Sequence, residues 1–306
     1  MMPDKQLLAT IGILCGLGAA FFQAWSYFFS RRFLTECRSS SRALFSIAHV
    51  QMGIFALIGL PFLLQGPLPP FSELWWPLLA TSGFYLTAQW LLFTILKRTD
   101  SSVVAPLLGL KIPALGIISV LVLNEPLPAA AWTAIILCTL AAFLVSPPKG
   151  LPELGALSLI LVTCLLYCGS DLHIPRLVAK VQEASPLPTL LGVSLTYMVC
   201  GAVGLVVALH QRAFQIRGAQ KYALPYSTAW FLGMCCLFAA FSFVGVIFGN
   251  MLQSMRGFLS VVIGVAISLV GWHHLEARLT IRHWTIRCVG ALLMTIAIVL
   301  YYSTKL

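Results

Sequence analysis

Charge is what this sequence has least of. Only 9% of its 306 residues are Asp, Glu, Lys or Arg, against about 25% in an average soluble domain. Too little remains to coat a soluble core of this size, which excludes an ordinary globule. Asparagine is almost missing: Asn124 and Asn250 are the only two, and neither has Ser or Thr two positions on, so there is no glycosylation acceptor. No G-x-x-x-x-G-K-[ST] run occurs and no gap is long enough for a nucleotide-binding domain, which argues against direct ATP drive. Cysteines number nine, with no C-x-x-C spacing. Most lie inside apolar runs, as Cys138, Cys164, Cys168 and Cys200 do, and read as small buried hydrophobes rather than a disulfide framework.

Apolar residues make up 59% of the chain, in recurring runs of about 18–23 residues, the length of a membrane-crossing helix. The fold class is therefore all-α integral membrane protein. Ten spans are expected, at about 8–29, 43–64, 75–96, 101–123, 129–146, 154–174, 188–209, 228–248, 256–273 and 285–302. The first run lacks a small-residue cleavage site and meets Arg31-Arg32 directly, so it reads as a retained span. "SPPKGLPE" (146–153) divides the chain into two five-helix halves, 8–146 and 154–302.

The halves resemble one another. "LVLNEPLPAAAWTAI" (121–135) and "LVGWHHLEARLTIRHWTI" (269–286) share an order of apolar span, glutamate, short linker, tryptophan and apolar span. Glu125 matches Glu276 at an offset of 151, and Trp132 matches Trp284 at 152. "FFSRRFL" (28–34) resembles "LHIPRLV" (172–178) at 144. Because five spans is an odd number, the second half must enter the bilayer from the opposite side. Two inverted repeats with a midplane binding site are the expectation.

Spans three to five, "LLFTILKRTDSSVVAPLLGLKIPALGIISVLVLNEPLPAAAWTAIILCTLAAFLV", resemble the EamA-type branch of the drug/metabolite transporter superfamily. The resemblance rests on Ser101-Ser102 in a short linker, Pro113 in mid-span, Glu125 at the span end and Trp132 opening the next span. In the second half Glu276 and Trp284 agree, while Gly264 replaces the proline. The resemblance implies a ten-helix carrier of small metabolites or drugs, without naming one. The expected location is a bacterial inner (plasma) membrane.

Lysines and arginines in short loops set orientation. Thirteen fall in odd-numbered loops and four in the termini and even-numbered loops, which predicts odd loops in the cytoplasm and both termini outside. Relatives in the family are usually drawn with both termini inside; the charge count takes precedence here.

Lys111, in "APLLGLKIPALG", is the residue that most needs explaining. It stands in the middle of its span, about 15 Å from either end, and a lysine stem of about 6 Å is too short to snorkel out. Facing lipid would cost roughly 2.5–3.5 kcal/mol. Gly109, Pro113 and Gly116 form a stripe suited to close helix packing, and Lys111 lies about 200° round from Gly109. It should face a central cavity, and Pro106 and Pro113 should weaken the helix for gating. Asp171 is the only acid with a chance of reaching inward. So little internal compensation favours an anionic group on the substrate. A purely structural lysine–carboxylate pair is the alternative.

Gln23 and Tyr27 correspond to Tyr167 and Asp171 at the 144 offset and are expected to line the same cavity, with Gln89 and Trp90 as further candidates. Arg256 heads span nine and is either a gate residue or a snorkelling arginine. Trp75, Trp76, Trp132, Trp284, Tyr301 and Tyr302 read as interface anchors. His273, His274, Glu276 and His283 lack metal-ligand spacing and read as a surface cluster, so neither a metal nor a cofactor is expected.

Secondary transport of a small metabolite, anionic or amino-acid-like, or of a drug is the functional expectation, by alternating access around a midplane cavity. Proton coupling through Asp171, His49 or Lys111 stays open, as does oligomeric state. An intramembrane lipid-modifying enzyme would need a converging acid–base or nucleophile set, which is not found. A non-transporting scaffold would need neither a midplane lysine nor inverted halves. The net charge of +10 suits loops meeting anionic lipid and does not call for nucleic acid.

Overall fold

The computed structural model describes residues 5–37, 39–95, 107–145, 153–269 and 281–304. Every regular element among them is helical: α1 Lys5–Cys37, α2 Ser41–Leu63, α3 Phe71–Ile95, α4 Lys111–Leu121, α5 Ala129–Val145, α6 Leu154–Lys180, α7 Pro188–His210, α8 Ala219–Val244, α9 Val246–Ser254, α10 Arg256–Leu269 and α11 Ile281–Ser303. In lipid each backbone N–H and C=O must be satisfied within its own segment, which leaves helices as the solution for runs this apolar. Eight helical stretches are long and apolar enough to cross a membrane; Leu108–Leu121 and Ala129–Val145 are shorter. The 17 residues of α5 extend about 25 Å at 1.5 Å per residue, a little less than the roughly 30 Å hydrocarbon layer. The chain is thus a multi-pass integral membrane protein.

Four helix pairs dominate the packing: α1 with α8, α2 with α7, α3 with α6, and α5 with α11. Small residues allow it. Where α2 crosses α7, a Cβ on Gly53 would lie 2.9 Å from the Gly201 Cα, and one on Gly201 2.8 Å from the Gly53 Cα. On the α1–α8 seam a Cβ on Gly12 would strike Val244 at 2.6 Å. Water-driven hydrophobic association is absent between helices in a bilayer, so this closeness is the source of their mutual dispersion attraction.

Several boundaries differ from expectation. The connection expected between spans eight and nine, 249–255, is mostly helical. The chain turns instead at Gly245, whose φ of 87° is open to glycine and costly for other residues. Continuous apolar composition across 228–248 concealed this break. Span eight begins earlier, at Ala219, behind Gly218 with φ 77°. Tyr301, expected at the interface, is buried and stacks on Phe248 with ring centroids 5.5 Å apart.

Candidate functional site

A cavity of about 150 Å³ lies at the centre of the bundle. It is lined from α1 between Gln23 and Ser30, from α3 between Tyr85 and Phe93, and from α8 between Tyr226 and Leu237. Tyr226–Leu237 spans the middle of α8, and Tyr167, Ser170 and Asp171 of α6 complete the lining.

Two helical stretches that reach this cavity contain a tighter turn, each beside a basic residue, and both stay right-handed helical through it. Leu108–Leu110 forms a 3₁₀ turn that passes to α4 at Lys111, whose N–H donates to the Leu108 carbonyl. Similarly, α9 ends at Ser254, the Met255 N–H donates to the Leu252 carbonyl at 3.2 Å, and α10 starts at Arg256. Lys111 and Arg256 are 145 residues apart, close to the 144 offset that relates Gln23 to Tyr167. Pro113 follows the 3₁₀ turn, six residues into helical backbone that runs from Leu107. Pro106 lies outside the described residues.

Lys111 points away from the Gly109–Gly116 stripe, as its spacing required. A Cβ on Gly109 would meet Ala142 at 3.2 Å, and one on Gly116 would meet Ile135 at 3.1 Å, so α5 packs there. The Lys111 ammonium lies 2.8 Å from Asp171 Oδ2 and 5.6 Å from the centre of the Tyr167 ring. The expectation of a nearly uncompensated lysine is therefore corrected: a buried carboxylate on α6 neutralises it. Asn250 also donates to Asp171 Oδ2, at 2.9 Å.

Around Arg256 the arrangement is parallel but the chemistry differs. Arg256 Nη1 donates to Gln23 Oε1 at 2.9 Å, and Gln253 Nε2 donates to the same oxygen at 3.0 Å. Gln23 thus holds Arg256 much as Tyr167 and Asp171 hold Lys111. Tyr27, the counterpart of Asp171, brings no charge, and among the described residues no carboxylate pairs with Arg256.

The other expected residues divide. Tyr27, Tyr167, Asp171 and Gln89 all border the cavity, and Gln89 Nε2 donates to the Tyr85 hydroxyl at 3.3 Å. Trp90 does not border it. It is 39% exposed and carries the Arg42 guanidinium 4.9 Å above its ring, beside a second hollow of about 580 Å³ at the helix ends. His49 is buried outside the cavity, its Nδ1 2.7 Å from the Phe45 carbonyl. His273, His274 and Glu276 lie outside the described residues, as do the side chains of His283 and Trp284.

Trp230, Gln253 and Asn250 were missed. Trp230 Nε1 donates to the hydroxyls of Tyr85 and Tyr197, at 2.9 Å each. Tyr85 and Trp230 are also 145 residues apart, so the repeat offset applied to Tyr85 would have found its partner. Asn250 was marked by its rarity alone.

The site is thus a polar, aromatic cavity inside a multi-pass helical bundle. Residues 10–146 match the model of the EamA-like transporter family, and this segment is consistent with the EamA-type branch of the drug/metabolite transporter superfamily. Among the 28 solved chains that match, one crystal structure aligns over 94% of this chain and 95% of its own, with a TM-score of 0.63 and 12% identity. At that identity the likeness concerns the fold. No curated protein matches the sequence.

Proposed function

We infer that the protein is a secondary transporter whose solute carries a carboxylate or phosphate, and that Arg256 is the anchor for that group. The observation that carries this reading is the imbalance among the described lining residues: two cations, Lys111 and Arg256, against one carboxylate, Asp171, which is already engaged by Lys111. An uncompensated guanidinium beside a low-dielectric cavity is stabilised by an incoming anion, and its planar fork suits two-oxygen groups. Tyr27, Tyr85, Tyr167 and Trp230 around it favour a solute with a flat or apolar body.

Alternating access by two inverted five-helix repeats, 8–146 and 154–302, is supported by the packing. Under such a relation the α1–α8 contact would be the counterpart of α6–α3, and α1 with α9 and α10 the counterpart of α6 with α4; all five contacts occur. The α2–α7 and α5–α11 pairs would then lie on the symmetry axis. By the loop charges, the odd-numbered loops face the cytoplasm and both termini are outside. Competition among amino acids, organic acids and sugar phosphates for binding to purified protein tests the substrate class. Displacement by carboxylates and phosphates is expected; displacement by cations alone would overturn it.

A further inference from the structure

We propose that Asp171 is the proton-binding site of this transporter, and that protonating it releases Lys111 to the solute's anionic group. The proposal rests on the anion-binding reading above and specifies how that site is driven.

The geometry around Asp171 suits two protonation states. As a carboxylate, Asp171 accepts from Lys111 and Asn250 at a single oxygen, Oδ2, at 2.8 and 2.9 Å. No described residue donates to Oδ1. Asn250 is 2% exposed, and its own Oδ1 is buried without any hydrogen-bond partner. A buried amide oxygen left bare is costly, and native structures rarely keep one without a reason. A neutral Asp171 has an O–H to donate, and Asn250, already bonded to Asp171 through Nδ2, carries an acceptor without a partner among the described residues. The Asn250 amide thus has a donor for the charged form and an acceptor for the neutral form.

The titratable and charged groups facing this centre are Lys111 from α4, Arg256 from α10, Tyr85 from α3, Tyr27 from α1, Tyr226 from α8, and Tyr167 and Cys168 on α6 itself. Asn250 on α9 is polar but not titratable, and α7 brings no residue to the cavity lining. None of these is a second carboxylate. Asp171 is the one group among them that gains a proton in becoming neutral while its partner stays cationic.

The charge bookkeeping then couples the two ligands. With Asp171 ionised, the described cavity carries one net positive charge; with Asp171 protonated it carries two. One proton moves from bulk water to Asp171, and Lys111 keeps its own proton and exchanges Asp171 for the solute's anion. The anion therefore binds more tightly to the protonated form, and the proton must bind more tightly when the anion is present. Release of both on the other side returns Asp171 to Lys111. Since Tyr27 stands where a second acid would be, the cycle carries one proton.

The test is an infrared titration of the purified full-length protein, with benzoate as the anionic probe and equilibrium dialysis of labelled benzoate as the measure of binding. Expected in the wild-type minus Asp171→Asn difference spectrum, with carboxyl-¹³C benzoate to displace the probe's own band, is one protonated-carboxyl C=O band that grows on acidification. Should that variant misfold because Lys111 is left unpaired, the neutral pair Lys111→Met/Asp171→Asn serves instead and must also lack the band. Benzoate should move the band's midpoint toward higher pH, by about one unit for each tenfold preference for the protonated form. A band unchanged in both variants, no such band over the folded pH range, or a midpoint unmoved by benzoate that dialysis shows to be bound would overturn the proposal. Benzoate that fails to bind wild-type protein at any pH would instead overturn the anionic-solute reading, and this proposal with it.

Discussion

Replacing Lys111 by Met removes one member of an ion pair whose side chains are only 10% and 7% exposed. Asp171 would keep the Asn250 hydrogen bond but lose its counter-charge. Stranding a buried charge in this way costs about 3–5 kcal/mol. The cavity gives Asp171 some access to water, which places the expectation at the lower end, about 3 kcal/mol. Asp171→Asn should cost a similar amount, offset in part by the Tyr167 ring, which at 5.6 Å from the ammonium contributes about 0.5–1 kcal/mol. The double replacement leaves two neutral side chains of similar size. It should lie within about 1 kcal/mol of wild type, since neutral substitutes for buried pairs are often tolerated. A double-mutant cycle from unfolding midpoints in detergent would then give a coupling of several kcal/mol. Additive single effects, with the double variant as unstable as their sum, would refute the ion pair as a coupled unit.

Other expectations follow from the packing and the charges. Gly201→Ala places a methyl 2.8 Å from the Gly53 Cα, so α2 and α7 must separate; overpacking of this kind costs about 1–3 kcal/mol, measurable as a lower midpoint in detergent. Glu73→Gln breaks the Lys180–Glu73 bridge, whose side chains are 46% and 51% exposed. The change should cost under about 1 kcal/mol, and the loss should vanish in high salt. A reporter enzyme active only in the cytoplasm, fused after Leu306, should be silent; an active fusion would reverse the orientation drawn from the loop charges.

Much of this could be read before the structure, and the failures have physical causes. The direction of Lys111 followed from helix geometry, because Gly109 and Gly116 mark the face that α5 covers. Asp171 stood out as its partner because no other acid lies deep in a span. What spacing could not reveal was that the two meet at 2.8 Å, since contact across about 60 residues of chain depends on how α4 and α6 pack. The same limit hid Trp230 and Asn250, whose partners lie on helices far away in sequence. Trp90 was misplaced because one helical position shifts a side chain by about 100°: Gln89 turns inward to Tyr85 while Trp90 turns out to Arg42. The Gly245 break carries no polar signal, only a glycine among many in apolar surroundings.

The central claim, that Arg256 receives the solute's anionic group, is tested most directly by counterflow into proteoliposomes with labelled amino acids, dicarboxylates and sugar phosphates. At least one carboxylate- or phosphate-bearing solute should enter wild-type vesicles saturably and faster when unlabelled solute is preloaded. In Arg256→Gln its apparent affinity should fall about 10- to 150-fold, the equivalent of one charged hydrogen bond at roughly 1.5–3 kcal/mol. Entry no faster than into empty liposomes for every solute, or an unchanged affinity in Arg256→Gln, would contradict it.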